Sequence, residues 1–369
     1  MSSVIWHLTS AVWPSLEDLA FGIHPDMGSV YAADCKCLAQ GKWPCLKRLC
    51  LILPFENEDC LYELTMADRP CLDTLGLHRS CQRVTAVDSC VSTVCDVWPC
   101  LTELDLSNNY IDDLRYSGLV GDRWRFMQVF NISSNPIGLG VCQILLDKRW
   151  STIKHLDVSS TILGDEGVAV LVQAEWPLLE SINLCDTRLG TAACESLANS
   201  SWPELQRVSL GFQNDRLDAD AFAHIVQAYW PELQHLSIAI ETADTEFEHS
   251  MGSLDCMCLG RGAWPCLKSV RLSQVVDELN AGDDLLCLLE GQWPMLESVY
   301  LLWDDFRSGL EEPKQTITPG QALMKADWPC LTSLEMYGYE VAAEDILHLE
   351  QHKWPFLAVL RILPYVPCG

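Results

Sequence analysis

Basic residues are scarce in this chain of 369 residues. Lysine and arginine together number 24, against 51 aspartates and glutamates, which gives a formal net charge of −27. A negative field of this size repels the phosphates of nucleic acids and the anionic head groups of lipids. We therefore expect neither nucleic acid nor a membrane as a partner. The charge favours a protein partner, in particular one with a basic surface.

Long apolar runs are missing too. No stretch approaches about 18 consecutive apolar residues, the length that indicates a membrane-spanning helix. The residues after Met1 do not form a basic segment followed by an apolar run, which is the pattern of an export signal. The 19 cysteines are odd in number and lie in a long chain, unlike those of small disulfide-stapled domains. The sequence therefore predicts reduced cysteines and a cytoplasmic location.

The short motifs that would indicate an enzyme are also absent from the sequence. There is no phosphate-binding glycine-rich loop that ends in Lys-Ser or Lys-Thr, and no G-x-S-x-G sequence. No nucleophile is paired with a base in a way that sequence spacing reveals. We predict no catalytic residue and do not expect the chain to be an enzyme.

One motif, Trp-Pro followed by spaced leucines, recurs along the whole chain. The shortest spacing is 26 residues, as between Trp150, Trp176 and Trp202. Two repeats keep the tryptophan without the proline, and one has Arg69-Pro70 in place of Trp-Pro. The thirteen repeats start at Trp13, Trp43, Arg69, Trp98, Trp124, Trp150, Trp176, Trp202, Trp230, Trp264, Trp293, Trp328 and Trp354.

The best-formed repeat, which starts at Trp98, has the pattern L-x-x-L-x-L-x-x-N-x-L. Its members are Leu101, Leu104, Leu106, Asn109 and Ile111. The pattern and its period resemble the leucine-rich-repeat family. The repeat length and the helical half are similar to the ribonuclease-inhibitor-like and cysteine-containing classes. The resemblance covers nearly the whole chain.

This resemblance implies an α/β solenoid: a curved leucine-rich-repeat horseshoe of about 13 units, with a parallel sheet on the concave side and helices on the convex side. We predict a single solenoid over 1–369, with a partial first unit at 1–12 and acidic insertions near 241–253 and 303–320. One departure concerns the asparagine at the bend after each strand. Thr161 and Thr187 already replace it, so the bend is expected to be less well supported in the second half.

Each repeat is predicted to contribute a short strand, a turn and an amphipathic helix. The proline after each tryptophan ends the helix, because proline disfavours the α conformation in the residue before it. The tryptophans are then expected inside the solenoid, each stacked on the tryptophan of the next repeat.

Cysteine and histidine groups raise the hypothesis of a metal site. C-x-C sequences occur at 35–37 and 256–258, and soft thiolates bind zinc. The repeat register favours a different interpretation, in which the first cysteine of each pair occupies an apolar core position. Glu344, His348 and His352 share a helical face but lack the H-E-x-x-H zinc motif. We therefore predict no metal ion and no cofactor.

The concave face is the candidate binding surface, through the positions five and seven residues after each repeat start. These positions are polar and acidic in the first half, and aromatic residues join them in the last repeats. Tyrosine, tryptophan and arginine are enriched at binding hot spots, although an ordinary solvated sheet face explains the same residues equally well. The candidate partner-binding residues are Asp105, Asn131, Asp157, Asn183, Arg271, Tyr300, Trp303, Tyr337 and Tyr339.

The leading functional prediction is a protein–protein interaction scaffold that binds its partner on the concave face. One alternative is a regulator of an enzyme, such as a small-GTPase activator or the substrate receptor of a ubiquitin ligase. Another is a cysteine-rich metal-binding protein. The terminal repeats have no polar caps, so we also expect exposed apolar ends. The chain is then either a piece of a longer repeat array or associates with itself through these ends.

Overall fold

A computed structural model of the chain describes residues 2–23, 28–84, 94, 97–98, 100–113, 126–147, 150–213, 217, 221–241, 258–273, 281–289, 291–302, 317–338 and 354–363. The chain divides into two compact units. The N-terminal unit comprises Met1–Leu163 and Gln173–Leu179, and the C-terminal unit comprises Gly164–Val172 and Glu180–Gly369. The prediction of one uninterrupted solenoid stays a prediction.

Strands and helices alternate in the N-terminal unit. Its strands are β1 (Asp18–Gly22), β2 (Arg48–Ile52), β3 (Thr74–Gly76), β4 (Glu103–Asp105), β5 (Val129–Asn131) and β6 (His155–Asp157). Each strand pairs in parallel with the next one along the chain. The helices are α1 (Ser2–Ser10), α2 (Ala32–Ala39), α3 (Glu58–Thr65) and α4 (Leu139–Asp147).

The C-terminal unit has the same organisation. Its strands are β7 (Ser181–Leu189), β8 (Arg207–Gln213), β9 (His235–Glu241), β10 (Ser269–Ser273), β11 (Ser298–Leu302), β12 (Ser333–Tyr337) and β13 (Val359–Leu363). They too pair in parallel with their sequence neighbours. The helices are α5 (Gly164–Leu171), α6 (Thr191–Ala198), α7 (Ala221–Ile225), α8 (Ala281–Leu289) and α9 (Pro319–Leu323).

The thirteen strands correspond one for one to the thirteen repeats of the sequence. This confirms the predicted α/β solenoid with a parallel sheet, in which a strand is followed by a return segment before the next strand. Within the stretches that the structure describes, no helix has both the length and the apolar character needed to cross a membrane.

The Trp-Pro sequence forms a turn that leads into the strand after it. The backbone N–H of Leu205 donates to the carbonyl of Trp202 at 3.2 Å, and that of Leu296 donates to Trp293 at 3.1 Å. This is the hydrogen bond of a four-residue turn, and proline is favoured at its second position because the ring fixes φ near −65°. The repeated W-P-x-L sequence therefore specifies a turn at the same place in repeat after repeat.

Tryptophans of the repeat start lie in the core, as predicted. Nine of them are at most 3% exposed: Trp43, Trp98, Trp150, Trp176, Trp202, Trp230, Trp264, Trp293 and Trp328. The rings of Trp264 and Trp293 stack with centroids 6.5 Å apart and an angle of 23° between planes. Trp13 is an exception, at 46% exposure. Trp124 lies outside the described residues.

Arg69 takes the place of a tryptophan in the third repeat and keeps its position in the core. The side chain is buried, and its guanidinium carbon lies 5.0 Å from the centroid of the Trp43 ring. One guanidinium nitrogen donates to the carbonyls of Leu38 and Ala39 at 3.2 and 3.3 Å. A planar cation over an aromatic face substitutes for ring stacking, so the repeat keeps its geometry without the tryptophan.

The bend after the strand changes along the chain, as the sequence departure predicts. Asn109 and Asn135 are buried and bond to the backbone of their own and the neighbouring repeat. The hydroxyls of Thr161 and Thr187 each donate to a carbonyl of their own repeat, at 2.7 Å. From β7 to β9 the strands lengthen to nine, seven and seven residues, against three in β4 to β6. Backbone groups that an asparagine would satisfy are there paired by neighbouring strands.

Candidate functional site

One face of the sheet, here called the outer sheet face, carries the side chains at the fifth and seventh positions after each repeat start. The intervening positions, such as Val299, Leu301 and Leu334, are buried in the core. In the C-terminal unit the strand register aligns Arg271 of β10 with Tyr300 of β11. Tyr300 is aligned in turn with Glu335 of β12. Residues far apart in sequence therefore form a continuous row across neighbouring strands.

Five side chains of this row and its immediate neighbours form a cluster, here called the Tyr300 cluster. The guanidinium carbon of Arg271 lies 4.0 Å from the centroid of the Tyr300 ring. The Tyr300 and Tyr337 rings are 5.4 Å apart and tilted by 40°. The Tyr337 hydroxyl donates to Oε2 of Glu335 at 2.9 Å, and Nη1 of Arg361 donates to the same oxygen at 2.8 Å.

The charge on Glu335 is held in place by its two donors. Hydrogen bonds from Arg361 and Tyr337 keep the pKa of the Glu335 carboxyl below its usual range. In return, the carboxylate raises the pKa of Tyr337 and of Arg361. None of the three groups is buried, so their main effect is to orient the Tyr337 ring rather than to add stability.

The Tyr300 cluster unites three of the residues singled out in the sequence: Arg271, Tyr300 and Tyr337. Trp303 and Tyr339, which were predicted to join them, lie outside the described residues. Glu335 and Arg361 belong to the cluster but were not predicted as site residues. Both occupy the seventh position of their repeats, so the strand register is the signal that finds them.

The polar row of the N-terminal unit has a structural role that the sequence did not indicate. Oδ1 of Asp105 accepts from the backbone N–H of Ser107 at 2.8 Å. Equivalent bonds join Asn131 to Ser133 and Asp157 to Ser159, each at 3.0 Å. Such bonds close a local turn around the side chain and favour the end of a strand.

Asn183, on β7 of the C-terminal unit, makes the same bond to the N–H of Cys185 at 3.2 Å. These four side chains are half-buried, so each still presents part of its surface on the outer sheet face. Their role in binding a partner stays a prediction.

Cysteines of the first C-x-C sequence behave as core and surface thiols. Cys35 is fully buried, and its hydrogen bond with Cys60 and its burial both raise the pKa of its thiol above the ordinary value. Burial likewise raises the pKa of Cys142 to about 12. Considering the described stretches alone, no group of three or more histidine, cysteine, aspartate or glutamate side chains is placed to hold a metal ion. Cys256, Glu344, His348 and His352 lie outside those stretches.

Sequence comparison with family models agrees with the repeat geometry. The model of the leucine-rich repeat matches residues 99–114 and 151–172, which are the repeats that contain β4 and β6. The chain therefore contains leucine-rich repeats at these residues. Its assignment to the ribonuclease-inhibitor-like or cysteine-containing class stays a prediction.

A search of solved structures finds similarity to a chain in the crystal structure of the mouse RP105/MD-1 complex. The sequence identity is 16%, the TM-score is 0.49, and the match covers 92% of this chain. It covers 54% of the other chain, so this protein spans about half the length of that chain. A search of curated protein sequences finds no match.

Proposed function

We propose that this protein holds a protein partner on its outer sheet face, with the Tyr300 cluster as the main anchor. The observation that carries the proposal is the contact of Arg271 with Tyr300, and of Tyr300 with Tyr337, on that face. Rings that are already ordered lose little side-chain entropy when a partner covers them. Tyrosine and arginine are also the residue types that dominate binding energy at interfaces.

The test compares two double variants in affinity capture and in titration of the purified captured protein. The Tyr300→Ala/Tyr337→Ala variant is expected to bind at least about 30-fold more weakly, because one hot-spot residue contributes about 2 kcal/mol. The control, Tyr62→Ala/Tyr229→Ala, removes two exposed tyrosines that do not lie on a strand. It is expected to bind like the wild type.

Equal binding by both variants, with unchanged circular dichroism, would refute the anchor. The identity of the captured protein also separates a passive scaffold from a regulator. A GTPase or a ubiquitin-ligase subunit would favour the regulatory alternative. Buried thiols such as Cys35 and Cys142 suit the reducing cytoplasm, which we propose as the place where this partner is met.

A basic segment of the partner is proposed to lie on the outer sheet face of the N-terminal unit. That face carries the carboxylates of Asp18, Glu103, Asp105 and Asp157. Arg48 is the one arginine at the fifth and seventh positions of these repeats. It lies 3.7 Å from Asp18, whose negative charge offsets its positive charge. The remaining negative charge favours lysine and arginine side chains of a partner.

Self-association is proposed through apolar surface at the terminal repeats. In the N-terminal unit, Trp6 and Trp13 are 57% and 46% exposed; in the C-terminal unit, Phe356 and Leu360 are 64% and 45% exposed. The equivalent of Leu360 in the preceding repeat, Leu334, is fully buried. Such surface favours association.

Sedimentation velocity over a range of concentrations tests this. We expect the wild type to form larger species as concentration rises and Phe356→Ser/Leu360→Lys to stay monomeric. A wild type that sediments as one monomeric species throughout would remove the proposal.

A further inference from the structure

The outer sheet face of the C-terminal unit has a charge opposite to that of the chain. At the fifth and seventh positions of its repeats it carries Arg207, Arg271 and Arg361, against one carboxylate, Glu335. The whole chain has 51 acidic residues and 24 basic ones. The outer sheet face of this unit is therefore positive, although the net charge of the chain is negative.

Two of the three arginines have no acidic partner among the residues that the structure describes. Glu335 is bound by Arg361, as described above, and these two charges offset each other. Within the described part of the chain, neither Arg207 nor Arg271 pairs with a carboxylate. Arg271 lies over the Tyr300 ring instead, which orients its guanidinium without neutralising it.

Further positive charge surrounds Arg207. The register places it directly beside His235 on β9, and Lys268 precedes the neighbouring strand β10. Burial of the imidazole, and then the charges of Arg207 and Lys268, lower the pKa of His235. His235 therefore adds a hydrogen-bonding group beside Arg207, and the arginines supply the charge.

We propose that the outer sheet face of β8 to β12 docks an acidic segment of a protein, with its carboxylates on Arg207 and Arg271 and its apolar groups on Tyr300 and Tyr337. The inference rests on the proposed function and specifies the chemistry of the partner. Arginine binds carboxylates through paired, directional hydrogen bonds. The net charge of −27 repels a long polyphosphate along its whole length. A short acidic segment lies close to the arginines, and salt screens it from the more distant negative charges.

The strand register also gives the spacing of the acidic residues. Arg207 aligns with Ser269 through His235, two strands away, and Arg271 lies two residues further along β10. With about 4.8 Å between strands and about 3.3 Å per residue, the two arginine backbones are about 12 Å apart. An extended segment covers that distance in three to four residues. The preferred segment therefore has two carboxylates separated by three or four positions.

A phage-displayed library of random 12-residue peptides tests the proposal on the full chain at low salt. Enriched peptides are expected to include an acidic class with carboxylates at this spacing. A synthetic peptide of that class is expected to bind at least about tenfold more weakly to Arg207→Gln/Arg271→Gln, and more weakly in high salt. The control variant Arg48→Gln/Arg83→Gln removes two exposed, carboxylate-paired arginines of the N-terminal unit and should bind the peptide like the wild type.

Several outcomes would overturn the proposal. One is a set of enriched peptides without an acidic class, and another is an acidic class that binds the Arg207→Gln/Arg271→Gln variant as tightly as the wild type. A third is tighter, arginine-dependent binding of a thymidine dodecamer or of phosphatidylserine vesicles, which would point to phosphate. Basic peptides from the same selection are expected to weaken with Asp105→Asn/Asp157→Asn, because asparagine keeps the local turn and removes the charge.

The partner captured in the first experiment separates this proposal from the proposed function. If that partner needs Tyr300 and Tyr337 but binds the Arg207→Gln/Arg271→Gln variant normally, the anchor stands and the acidic-segment proposal fails. If acidic peptides need the arginines while the captured partner ignores the tyrosines, the acidic docking surface stands and the proposed anchor fails.

Discussion

Replacement of Trp202 by alanine is expected to lower the free energy of unfolding by about 3–5 kcal/mol. The indole has no exposed surface, and its removal leaves a cavity inside the C-terminal unit. Its position at the start of a W-P-x-L turn adds a second reason, because the side chain fixes where that turn meets the core.

Urea unfolding followed by circular dichroism measures the effect. Trp6→Ala is the matched control, since Trp6 is 57% exposed and its loss is expected to cost less than about 1 kcal/mol. Equal losses in the two variants would contradict the interior role of the repeat tryptophans. The slope of the unfolding free energy against urea concentration reports how much surface unfolding exposes. If Trp202→Ala lowers this slope rather than the transition midpoint, only neighbouring repeats unfold.

Asn135→Ala is expected to have an effect of similar size, about 3–5 kcal/mol, from polar groups rather than from packing. Oδ1 of this buried side chain accepts from the N–H groups of Asn109 and Ile111, at 2.9 and 3.0 Å. Its amide nitrogen donates to the carbonyls of Leu106 and Ile132, both at 2.9 Å. Alanine removes these bonds from the buried N–H groups of Asn109 and Ile111 and from the carbonyl of Ile132, which is costly in each case, whereas the Leu106 carbonyl keeps its bond from Asn109.

Thr161→Val is the comparison for this prediction. Thr161 occupies the same position in the next repeat and donates one hydrogen bond to Val158. Loss of this hydrogen bond is expected to lower the free energy of unfolding by about 1 kcal/mol. Thermal and urea unfolding of both variants check the difference. Similar values for both would show that the bond from one repeat to the next contributes little.

Repetition in the sequence is sufficient to predict most of the fold. The spacing of Trp-Pro gives the number of strands, and alternation around residues such as Leu104 and Leu334 gives the side of each strand that is buried. Arg69 shows the limit of this approach. The register predicts its position, but only the structure shows that its guanidinium lies over Trp43 in place of ring stacking.

The candidate site was predicted in part, for reasons that are also physical. Counting from each tryptophan places Arg271 and Tyr300 at the same position in adjacent repeats, and parallel pairing makes them neighbours. The turn-closing role of Asp105 was missed, because an aspartate two residues before a serine gives no unique signal in sequence. The positive sheet face was missed because charge was summed over the chain rather than along one row of Arg207 and its equivalents.

Within each unit, the described strands pair with the strands of adjacent repeats. Most contacts that define the fold therefore join residues about one repeat apart, so little chain must be closed into a loop before a contact forms. Ordering can start at any well-formed repeat and spread in both directions, as in a one-dimensional chain of coupled elements. The same arrangement limits the effect of a destabilising substitution. Its effect passes from one repeat to distant repeats through the repeats between them.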